Sequence, residues 1–491
     1  MNTHYYIGID LGASSGRTVL GTLENKILTV KELNRFHNSA INLNGSLHWN
    51  VVELFEQMKK GLDVCARDVT TSPDSMALDT WGVDYGLLAR DGSVVGFPYA
   101  YRDGRTNNAM EEFFARIPRE RVYALTGNQF MQFNTLFQLF AMVRDDSPLV
   151  KIVSDLLFIP DLFNYLFTGV KKSEFTISTT SQVYNPQKKD WDAELLEALG
   201  LPKSIMQEIV QPGTVIGNLA DAVCQEIRID PVPVIATASH DTASAVAAVP
   251  ANSDENWAYI SSGTWSLVGV ELPEPIINEK TLEFNFTNEG GIEGTFRFLK
   301  NVAGLWLVQE CRRFWSKEKM YSFGDLTKMA AEAAPFQAVI DPDHQDFLNP
   351  VDMPGAIRNY VNKTGQTIGD KPGDVIRVAL ESLALKYRFV LDQLQQVYPK
   401  NIAKIHIIGG GTQNKLLCQF TANATGLPVI AGPVEATAIG NIMTQALGLD
   451  HVKSHDEIRW IIRKSFLLES YDPRETEKWD KAYERFREII M

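Results

Sequence analysis

Two stretches of the chain show the same succession of apolar strands, polar turns and helices. Residues 5–21 are predicted to form an apolar strand, a turn rich in glycine and hydroxyl groups, and a second apolar strand, which is the pattern of a hairpin. A buried-type strand at 231–238 leads through the turn 239–242 into a helix of small residues at 243–249. Residues 257–270 then repeat the strand, hydroxyl turn and strand. This repeated alternation predicts an α/β protein with two similar lobes.

Hydrophobic residues at helical spacing predict further elements. Helices are expected at 51–64, 106–116, 374–397 and 414–425, and a strand at 405–408 ends in three glycines. The carboxyl-terminal residues are charged and helical in pattern, with an apolar face that we expect to dock on the rest of the molecule. This face comprises Trp460, Ile461, Phe466, Trp479, Tyr483 and Phe486.

The length of the chain predicts more than one domain. A chain of 491 residues, of which 45% are hydrophobic, exceeds what one hydrophobic core normally supports. We therefore expect two domains, at 1–245 and 246–449, followed by a helical segment at 450–491.

Charge, cysteines and histidines limit the partners and the location of the protein. The formal charge of −13 disfavours nucleic acid, which is held by clustered Lys and Arg. We expect no signal peptide, because no basic segment precedes Asp10, and no apolar run approaches the roughly 18 residues that span a membrane. The cysteines at 65, 224, 311 and 418 form no Cys-x-x-Cys pair, which predicts reduced thiols in the cytoplasm. The eight histidines show no metal-type spacing such as His-Glu-x-x-His.

The turn Asp10-Leu11-Gly12-Ala13-Ser14-Ser15-Gly16-Arg17 lies between two predicted strands. Its successive backbone N–H groups and its serine hydroxyls can surround an oligophosphate, and Arg17 adds a cation. The alternative is an ordinary tight hairpin in which Asp10 caps the turn. The chain has no Walker loop, no protein-kinase His-Arg-Asp signature and no Gly-x-Gly-x-x-Gly fingerprint after a strand.

Two further segments suit a nucleotide. Ser261-Ser262-Gly263-Thr264 has the chemistry of the first turn, and two such turns suit a triphosphate, although a hydroxyl-rich hairpin tip is the alternative. Gly409-Gly410-Gly411 follows an apolar strand and has no side chains, which lets a flat aromatic ligand lie against the backbone. For this segment the alternative is a flexible loop that leads to a helix.

Two segments offer groups for a polyhydroxylated substrate. Ser239-His240-Asp241-Thr242 lies at the carboxyl end of a buried strand, where open α/β sheets bind ligands. There Asp241 can accept a hydroxyl proton while its neighbours hydrogen-bond a sugar, or it can instead be a helix N-cap. Asp79-Thr80-Trp81-Gly82-Val83-Asp84 combines an aromatic face with carboxylates and a bare backbone, and a place in the core is the alternative for Trp81.

Taken in order, these segments and Tyr101-Arg102-Asp103-Gly104-Arg105-Thr106 resemble the FGGY family of carbohydrate kinases from about residue 5 to about residue 445. Other segments resemble the branch of this family that phosphorylates L-rhamnulose. They are Gly12–Arg17, Ser239–Ala245, Thr287–Gly291, Leu299–Asn301, Gly304–Leu307 and Ala431–Ala436. Many members of the wider family have Thr after the first glycine, whereas this chain has Ala13, so the hydroxyls would come from Ser14 and Ser15, as in that branch.

The resemblance implies two ribonuclease-H-like lobes, as in actin-like ATPases, with ATP bound in the cleft between them. Carried over position by position, it implies that ATP contacts Ala13, Ser14, Ser15, Gly16, Arg17, Thr264, Gln309 and Gly410. It implies that the sugar contacts Gly82, His240, Asp241, Thr242 and Asn301, with Asp241 as the catalytic base. Asp10 is implied to hold Mg²⁺ through water.

The implied activity is ATP-dependent phosphorylation of L-rhamnulose to L-rhamnulose 1-phosphate in L-rhamnose catabolism, by a monomer or homodimer. Another kinase of the family, such as one for L-fuculose or xylulose, would share the ATP residues and differ around Gly82, His240 and Asn301. An actin-like ATPase that phosphorylates no metabolite is the alternative of another class, and sugar-dependent ADP release separates the two. A sugar sensor that binds ATP without transfer is disfavoured by Asp241.

Overall fold

The computed structural model describes residues 3–68, 72–252 and 254–490. The chain divides into two units, each assembled from stretches that are distant in sequence. The first unit comprises Met1–Ala248, Glu271–Phe298 and Ala436–Ser465, and the second comprises Val249–Val270, Leu299–Glu435 and Phe466–Met491.

The described part of the chain contains short and long strands and helices in alternation. The strands are β1 (Thr3–Leu11), β2 (Ser15–Glu24), β3 (Ile27–His37), β4 (Ile41–Leu43), β5 (Ser46–His48), β6 (Ser75–Thr80), β7 (Tyr85–Leu88), β8 (Asp155–Phe158), β9 (Ser173–Glu174), β10 (Tyr184–Asn185), β11 (Asp190–Trp191), β12 (Ile209–Val210), β13 (Thr214–Asn218), β14 (Pro233–Ala236), β15 (Trp257–Ser262), β16 (Trp265–Leu272), β17 (Thr287–Gly290), β18 (Phe296–Ala303), β19 (Lys404–Ile408), β20 (Val429–Ala431) and β21 (Glu469–Tyr471). The α-helices are α1 (Val51–Asp68), α2 (Ala109–Phe114), α3 (Arg119–Thr126), α4 (Thr135–Arg144), α5 (Leu149–Ile152), α6 (Ile159–Thr168), α7 (Phe175–Ser178), α8 (Ala193–Leu199), α9 (Asp221–Ile227), α10 (Asp241–Ala247), α11 (Glu279–Glu283), α12 (Trp306–Trp315), α13 (Phe323–Glu332), α14 (Met353–Lys363), α15 (Pro372–Gln395), α16 (Lys415–Thr425), α17 (Ala436–Gly448), α18 (His455–Ser465) and α19 (Thr476–Ile490).

A six-stranded sheet with the order β13-β14-β6-β1-β2-β3 forms the centre of the first unit. Strands β1, β2 and β3 are antiparallel neighbours, whereas β1, β6 and β14 run parallel. On β1, the side chains of Ile7, Ile9 and Leu11 are fully buried, as expected for a strand inside a covered sheet. Because parallel strands end at the same edge, the residues that terminate β1 and β6 and follow β14 are brought together there.

A second sheet has seven strands in the order β17-β18-β16-β15-β19-β20-β21. Strands β15 and β16 form an antiparallel hairpin, and β15, β19 and β20 run parallel. The hairpin followed by parallel strands repeats the arrangement of the first sheet. The predicted α/β fold with two similar lobes is therefore confirmed.

Of the four helices predicted from hydrophobic spacing, those at 51–64, 374–397 and 414–425 are present as α1, α15 and α16. The helix predicted at 106–116 is wrong in its first part. Asn108 has a left-handed φ of 61°, so the chain is divided there between a 3₁₀ turn at Gly104–Thr106 and α2. The carboxylate of Asp103 accepts the Arg105 N–H at 3.0 Å and so caps this turn.

The carboxyl-terminal helices belong to different units: α18 lies in the first unit and α19 in the second. The predicted apolar face is buried at Ile461, Trp479, Tyr483 and Phe486, but Trp460 is 40% exposed and is a surface residue. Among the described helices, none has the length and apolar character needed to cross a membrane.

Candidate active site

The turn between β1 and β2 is held in shape by a glycine and by an asparagine. The Gly12 N–H donates to the Ser15 carbonyl oxygen at 2.9 Å, and the Asn38 side-chain amide donates to the Gly12 carbonyl oxygen at 2.8 Å. A Cβ at Gly16 would lie 2.3 Å from the Phe36 ring, so no larger residue fits. The tip of the turn is at least partly exposed, which leaves its backbone and hydroxyl groups able to contact a ligand.

Asp10 lies between a cation and a second carboxylate. It is the register partner of Arg17 on β2 and of Asp79 on β6, and Arg17 donates to its Oδ2 from Nη2 at 2.7 Å and from Nε at 3.0 Å. Asp79 is fully buried, with Asn441 Nδ2 donating to its Oδ2 at 2.6 Å. Its Oδ1 has no hydrogen-bond partner within the described ranges. Burial and then the charge of Asp10 raise the pKa of Asp79 well above its ordinary value.

Asp241 begins helix α10 beside this edge. The Thr80 N–H at the end of β6 donates to the Ser239 carbonyl oxygen at 2.8 Å, which aligns the turn with the sheet. His240 is the N-cap residue and Asp241 the first helical residue, so Asp241 is not the N-cap that the sequence allowed as an alternative. Its Oδ1 accepts the Thr242 N–H at 2.5 Å and the Thr242 hydroxyl at 3.1 Å. Burial raises the pKa of Asp241, His240 opposes this shift, and the charge of Asp10 adds to it.

His240 is held by an ion pair that sequence reasoning did not assign. Arg297 is fully buried, and its Nη2 donates to His240 Nδ1 at 3.1 Å and lies 3.1 Å from Glu289 Oε2. Its Nε donates to the Gly290 carbonyl oxygen at 2.8 Å. Although burial acts to raise it, the charges of Arg297 and His240 lower the pKa of Glu289. The Arg297 guanidinium can only donate to His240 Nδ1, and Glu289 Oε2 lies 3.4 Å from the same nitrogen. His240 Nε2 lies 3.3 Å from Asp241 Oδ1.

A buried carboxyl group holds the backbone of the same turn. Glu174 Oε2 accepts the Ser239 N–H at 3.2 Å, and the Thr176 hydroxyl oxygen accepts the His240 N–H at 3.1 Å. Glu174 also caps α7 by accepting the N–H groups of Thr176 at 2.8 Å and Ile177 at 3.0 Å. Burial raises the pKa of Glu174 to about 7. Glu174 and Thr176 therefore hold the backbone of the turn, while Arg297 holds the side chain of His240.

Gly82 faces the imidazole of His240. A Cβ at Gly82 would lie 3.3 Å from His240 Nε2 and 3.4 Å from the Thr180 side chain. The next residue, Val83, has a φ of 66°, and its N–H donates to the Thr180 hydroxyl oxygen at 3.2 Å. The bare backbone at Gly82 keeps the Nε2 side of His240 open for a ligand.

The carboxylate of Asp84 accepts hydrogen bonds from four separate parts of the chain. Its Oδ2 accepts the indole N–H groups of Trp49 at 2.6 Å and Trp81 at 2.9 Å and the Tyr101 backbone N–H at 3.1 Å. Its Oδ1 accepts from the Gln138 side chain at 2.8 Å. Burial raises the pKa of Asp84 to about 6 despite these hydrogen bonds. Trp81 is a buried core residue here, which is the alternative considered for it from the sequence.

In the second unit, the turn between β15 and β16 meets the start of α12. The Gly263 N–H donates to the Trp265 carbonyl oxygen at 2.9 Å, and the Leu305 N–H donates to the Gly263 carbonyl oxygen at 2.9 Å. The Thr264 hydroxyl donates to Gln309 Oε1 at 3.2 Å. The fold thus brings together two of the residues expected to contact ATP.

The glycine segment after β19 packs against the end of β15. Gly409 has a φ of 84°, and a Cβ at Gly411 would lie 2.0 Å from Ser262 Oγ, so both positions require glycine. A Cβ at Gly410 would have no described atom within 4 Å. Gly410 is therefore not needed for packing, and its exposed backbone is open to a ligand.

The predicted site residues fall into both units. The first unit contains Asp10, the turn at 13–17, Gly82 and the turn at 240–242. The second unit contains Asn301, which lies on β18, and three of the residues expected to contact ATP, namely Thr264, Gln309 and Gly410. Sequence reasoning assigned no role to Glu174, Glu289 or Arg297. The signal available for Glu289 was its place in the Thr287–Gly291 segment of the family resemblance.

Comparison with known proteins gives matches over nearly the whole chain. Residues 5–248 match the N-terminal domain of the FGGY family of carbohydrate kinases, and residues 258–449 match its C-terminal domain. A rhamnulokinase from Bacteroides thetaiotaomicron is 44% identical over 485 residues, which cover 99% of both chains. A rhamnulokinase from Oceanobacillus iheyensis is 41% identical over 465 residues, which cover 95% of this chain and 97% of the relative.

Solved structures share the fold at low sequence identity. A gluconate kinase from Lactobacillus acidophilus superposes with a TM-score of 0.82 at 15% identity, covering 99% of this chain and 98% of that chain. A ligand-bound xylulose kinase from the same organism superposes with a TM-score of 0.80 at 15% identity, covering 99% and 97%. At this identity the likeness concerns the fold alone.

Proposed function

Because the chain belongs to the FGGY family of carbohydrate kinases, we propose that it transfers the γ-phosphoryl group of ATP to L-rhamnulose, giving L-rhamnulose 1-phosphate and ADP. The observation that carries this proposal is whole-length similarity: a rhamnulokinase is 44% identical across 99% of both chains. The reaction is a step of L-rhamnose catabolism.

Asp241 is the proposed catalytic base. The primary hydroxyl oxygen of the sugar bonds to the γ-phosphorus as the bond from that phosphorus to the bridging oxygen of ADP breaks, and Asp241 accepts the hydroxyl proton. The hydrogen bonds from Thr242 fix the orientation of the carboxylate. Because its pKa is raised, this carboxylate is a stronger proton acceptor than an exposed aspartate.

The sugar is proposed to lie against His240 and Gly82. Arg297 donates a hydrogen bond to Nδ1 of His240, so an Nε2–H is left to donate to a sugar hydroxyl oxygen. The absence of a side chain at Gly82 leaves room beside Nε2. Thr242 and Asn301 complete the proposed sugar-binding set, and family resemblance supports the place of Asn301 in it.

The nucleotide is proposed to contact residues of both phosphate-binding turns and the glycine segment. They are Ala13, Ser14, Ser15, Gly16, Arg17, Thr264, Gln309 and Gly410. The rigid turn at 12–16, the hydrogen bond between Thr264 and Gln309, and the open backbone at Gly410 support this assignment. Such groups act on phosphates by holding them in line for transfer.

Magnesium is the proposed metal, held by Asp10 through water. The groups at this sheet edge are the carboxylates of Asp10, Asp79 and Asp241, and hard oxygen donors suit Mg²⁺. The buried Asp79 Oδ1, which lacks a hydrogen-bond partner within the described ranges, fits a nearby cation. When bound, Mg²⁺ would neutralise charge on the phosphates.

We also propose a cytoplasmic location, a monomer or homodimer, and domains at 1–245 and 246–449 with a carboxyl-terminal segment at 450–491. Four buried cysteines form no disulfide within the described ranges, which supports a reducing compartment: Cys65, Cys224, Cys311 and Cys418. Light scattering coupled to gel filtration distinguishes a monomer from a dimer.

A coupled ADP-release assay with Mg²⁺ and a panel of ketoses tests the proposed function. L-Rhamnulose is expected to give the highest kcat/KM, with L-fuculose and D-xylulose at least about tenfold lower, which corresponds to about 1.4 kcal/mol. The product should be identified as the 1-phosphate by NMR. A preference for L-fuculose or D-xylulose would assign the chain to another kinase of the family, and ADP release that does not depend on sugar would indicate an ATPase.

A further inference from the structure

Two histidines and an aspartate from distant parts of the sequence meet at the amino-terminal end of β1. His4 lies on β1, Asp74 precedes β6, and His451 follows α17, all within the first unit. One potential ligand atom from each residue lies within 4.8 Å of those of the other two, and all three side chains are partly exposed. Asp10 follows His4 by six positions along β1, which places the cluster about 20 Å from the proposed catalytic edge.

Asp74 is fixed so that one carboxylate oxygen faces His4. Its backbone N–H donates to the Tyr5 carbonyl oxygen at 2.7 Å, and its Oδ2 accepts the Tyr5 N–H at 2.7 Å. The other oxygen, Oδ1, lies 3.2 Å from His4 Nδ1. This contact is a hydrogen bond, and because two ligands about 2.0–2.1 Å from one tetrahedral zinc ion are roughly 3.3 Å apart, the two atoms could hold one ion without moving apart.

His451 is held in a similar way by a buried tyrosine. The Tyr6 hydroxyl lies 2.7 Å from His451 Nδ1. The imidazole stacks on that of His4 with ring centroids 3.6 Å apart and planes inclined by 23°, so one ring has to turn for both to direct a nitrogen at the same ion. A hydrogen bond at one ring nitrogen orients the imidazole and leaves Nε2 for a metal, which is the usual arrangement of partners around metal-binding histidines.

We propose that His4, Asp74 and His451 form a binding site for a transition-metal ion such as Zn²⁺, with water completing its coordination. Two imidazole nitrogens and one carboxylate oxygen favour Zn²⁺, Ni²⁺ or Cu²⁺ over Mg²⁺, so the site is separate in chemistry as well as in position from the magnesium proposed at Asp10. The ion would link the start of β1, the segment before β6 and the segment after α17. It therefore stabilises the first unit and takes no part in phosphoryl transfer.

Isothermal titration of the untagged full chain with ZnCl₂ tests the site. Millimolar Mg²⁺ is included so that carboxylate sites are occupied, and sugar and ATP are omitted, so the result does not depend on the proposed function. The expected result is one zinc ion per chain, with affinity reduced at least about tenfold in His4→Ala and in His451→Ala and several-fold in Asp74→Asn. Zinc should raise the melting temperature of the wild type and leave that of His451→Ala unchanged.

Asp450→Asn is the matched control, because Asp450 adjoins His451 and its side chain is 90% exposed beside Lys453. It removes a nearby carboxylate without removing a proposed ligand, and zinc affinity should stay within about twofold of the wild type. The melting temperature without zinc confirms that each variant is folded, and where an alanine variant of either histidine is not, glutamine replaces the alanine at that position. The proposal is overturned if the wild type binds no stoichiometric zinc, or if the affinity is the same in the ligand variants as in the control.

Discussion

Arg297 Nη2 and Glu289 Oε2 lie 3.1 Å and 3.4 Å from the same atom, Nδ1 of His240, and the guanidinium can only donate to it. A neutral histidine with Nδ1 as acceptor has its hydrogen on Nε2, the atom that faces Gly82. A residue far from His240 in the sequence thus sets the hydrogen-bonding character of the proposed sugar site.

Arg297→Lys is expected to lower kcat/KM for L-rhamnulose about 10- to 100-fold, because it removes a charge-assisted hydrogen bond worth roughly 1.5–3 kcal/mol. Lysine keeps a positive charge beside Glu289, so the buried carboxylate is not left unpaired. Steady-state kinetics with each substrate varied, together with the melting temperature, check this result. Wild-type kcat/KM in the variant would mean that Arg297 does not control His240.

Asp241→Asn is expected to lower kcat by about 10²–10⁴-fold, or about 3–5 kcal/mol, while ATP affinity and melting temperature stay near those of the wild type. His240 occupies the N-cap position of α10, and the asparagine side chain keeps an oxygen that can accept the Thr242 N–H, so the start of the helix is preserved. The matched control is Asp221→Asn, which changes the first residue of α9 at an exposed position. Kinetic assays of both variants test the role, and near-normal turnover of Asp241→Asn would exclude Asp241 as the base.

The acid side of the pH profile provides a separate check. Asp241 accepts a proton only when ionised, and its pKa is raised. The value of kcat/KM is therefore expected to fall on acidification at a pH above the ordinary aspartate value of about 3.9. Measurement of kcat/KM from pH 4 to pH 8 gives the profile, and the same measurement on Arg297→Lys shows whether the surroundings of His240 affect it. An acid limb at the ordinary aspartate value would contradict the assignment.

Glu174 makes the stability of the first unit depend on pH. Its pKa rises from 4.5 to about 7 on folding because of burial. The neutral form is the stable one in the folded protein, so its contribution is complete below the unfolded pKa and is lost as the pH rises through about 7. The loss is roughly 3 kcal/mol in the limit of high pH.

The variant Glu174→Gln has an amide at this position, which does not titrate. The difference in free energy of unfolding between wild type and variant is therefore expected to shrink from pH 5 to pH 8. Urea unfolding of both proteins at intervals over this range measures the difference. Parallel stability curves would show that Glu174 does not titrate between these values.

Gly410 and Gly411 are adjacent in the second unit, but only Gly411 is needed for packing, so substitutions at the two positions test packing and ligand binding separately. Gly410→Ala is expected to leave the melting temperature almost unchanged, because its Cβ meets no described atom within 4 Å, and to raise KM for ATP several-fold. Gly411→Ala places a Cβ 2.0 Å from Ser262 Oγ and should cost about 1–3 kcal/mol of stability. Thermal melts and ATP kinetics on both variants check this. An unchanged KM in Gly410→Ala would remove Gly410 from the nucleotide site.

Much of the fold could be predicted because its signals are local. The hairpin at Gly12–Arg17 is specified by apolar strands on both sides of a glycine turn, and α15 follows from hydrophobic spacing over 24 residues. The break before α2 could not be predicted, because it depends on the left-handed conformation of Asn108 alone. Whether Asp241 is the N-cap or the first residue of α10 depends on a shift of one residue, and sequence does not fix helix ends that closely.

Contacts between distant residues were beyond prediction from one sequence. Arg297 on β18 reaches His240 at the start of α10 from 57 residues away, with no local pattern that pairs them. Histidine spacing predicted no metal site, because His4 and His451 come from opposite ends of the chain. Sheet pairing and helix packing, rather than local periodicity, bring such residues together.

The four donors around Asp84 have a consequence for how this protein can vary among its relatives. One carboxylate joins segments near residues 49, 81, 101 and 138, and an asparagine in its place would offer one acceptor oxygen and an amide that cannot accept. A change at Asp84 would leave buried indole and amide hydrogens without partners unless they changed as well. Substitutions at Asp84, Trp49, Trp81 and Gln138 should therefore occur together across descendants of a common ancestor, so that these positions evolve as one inherited group.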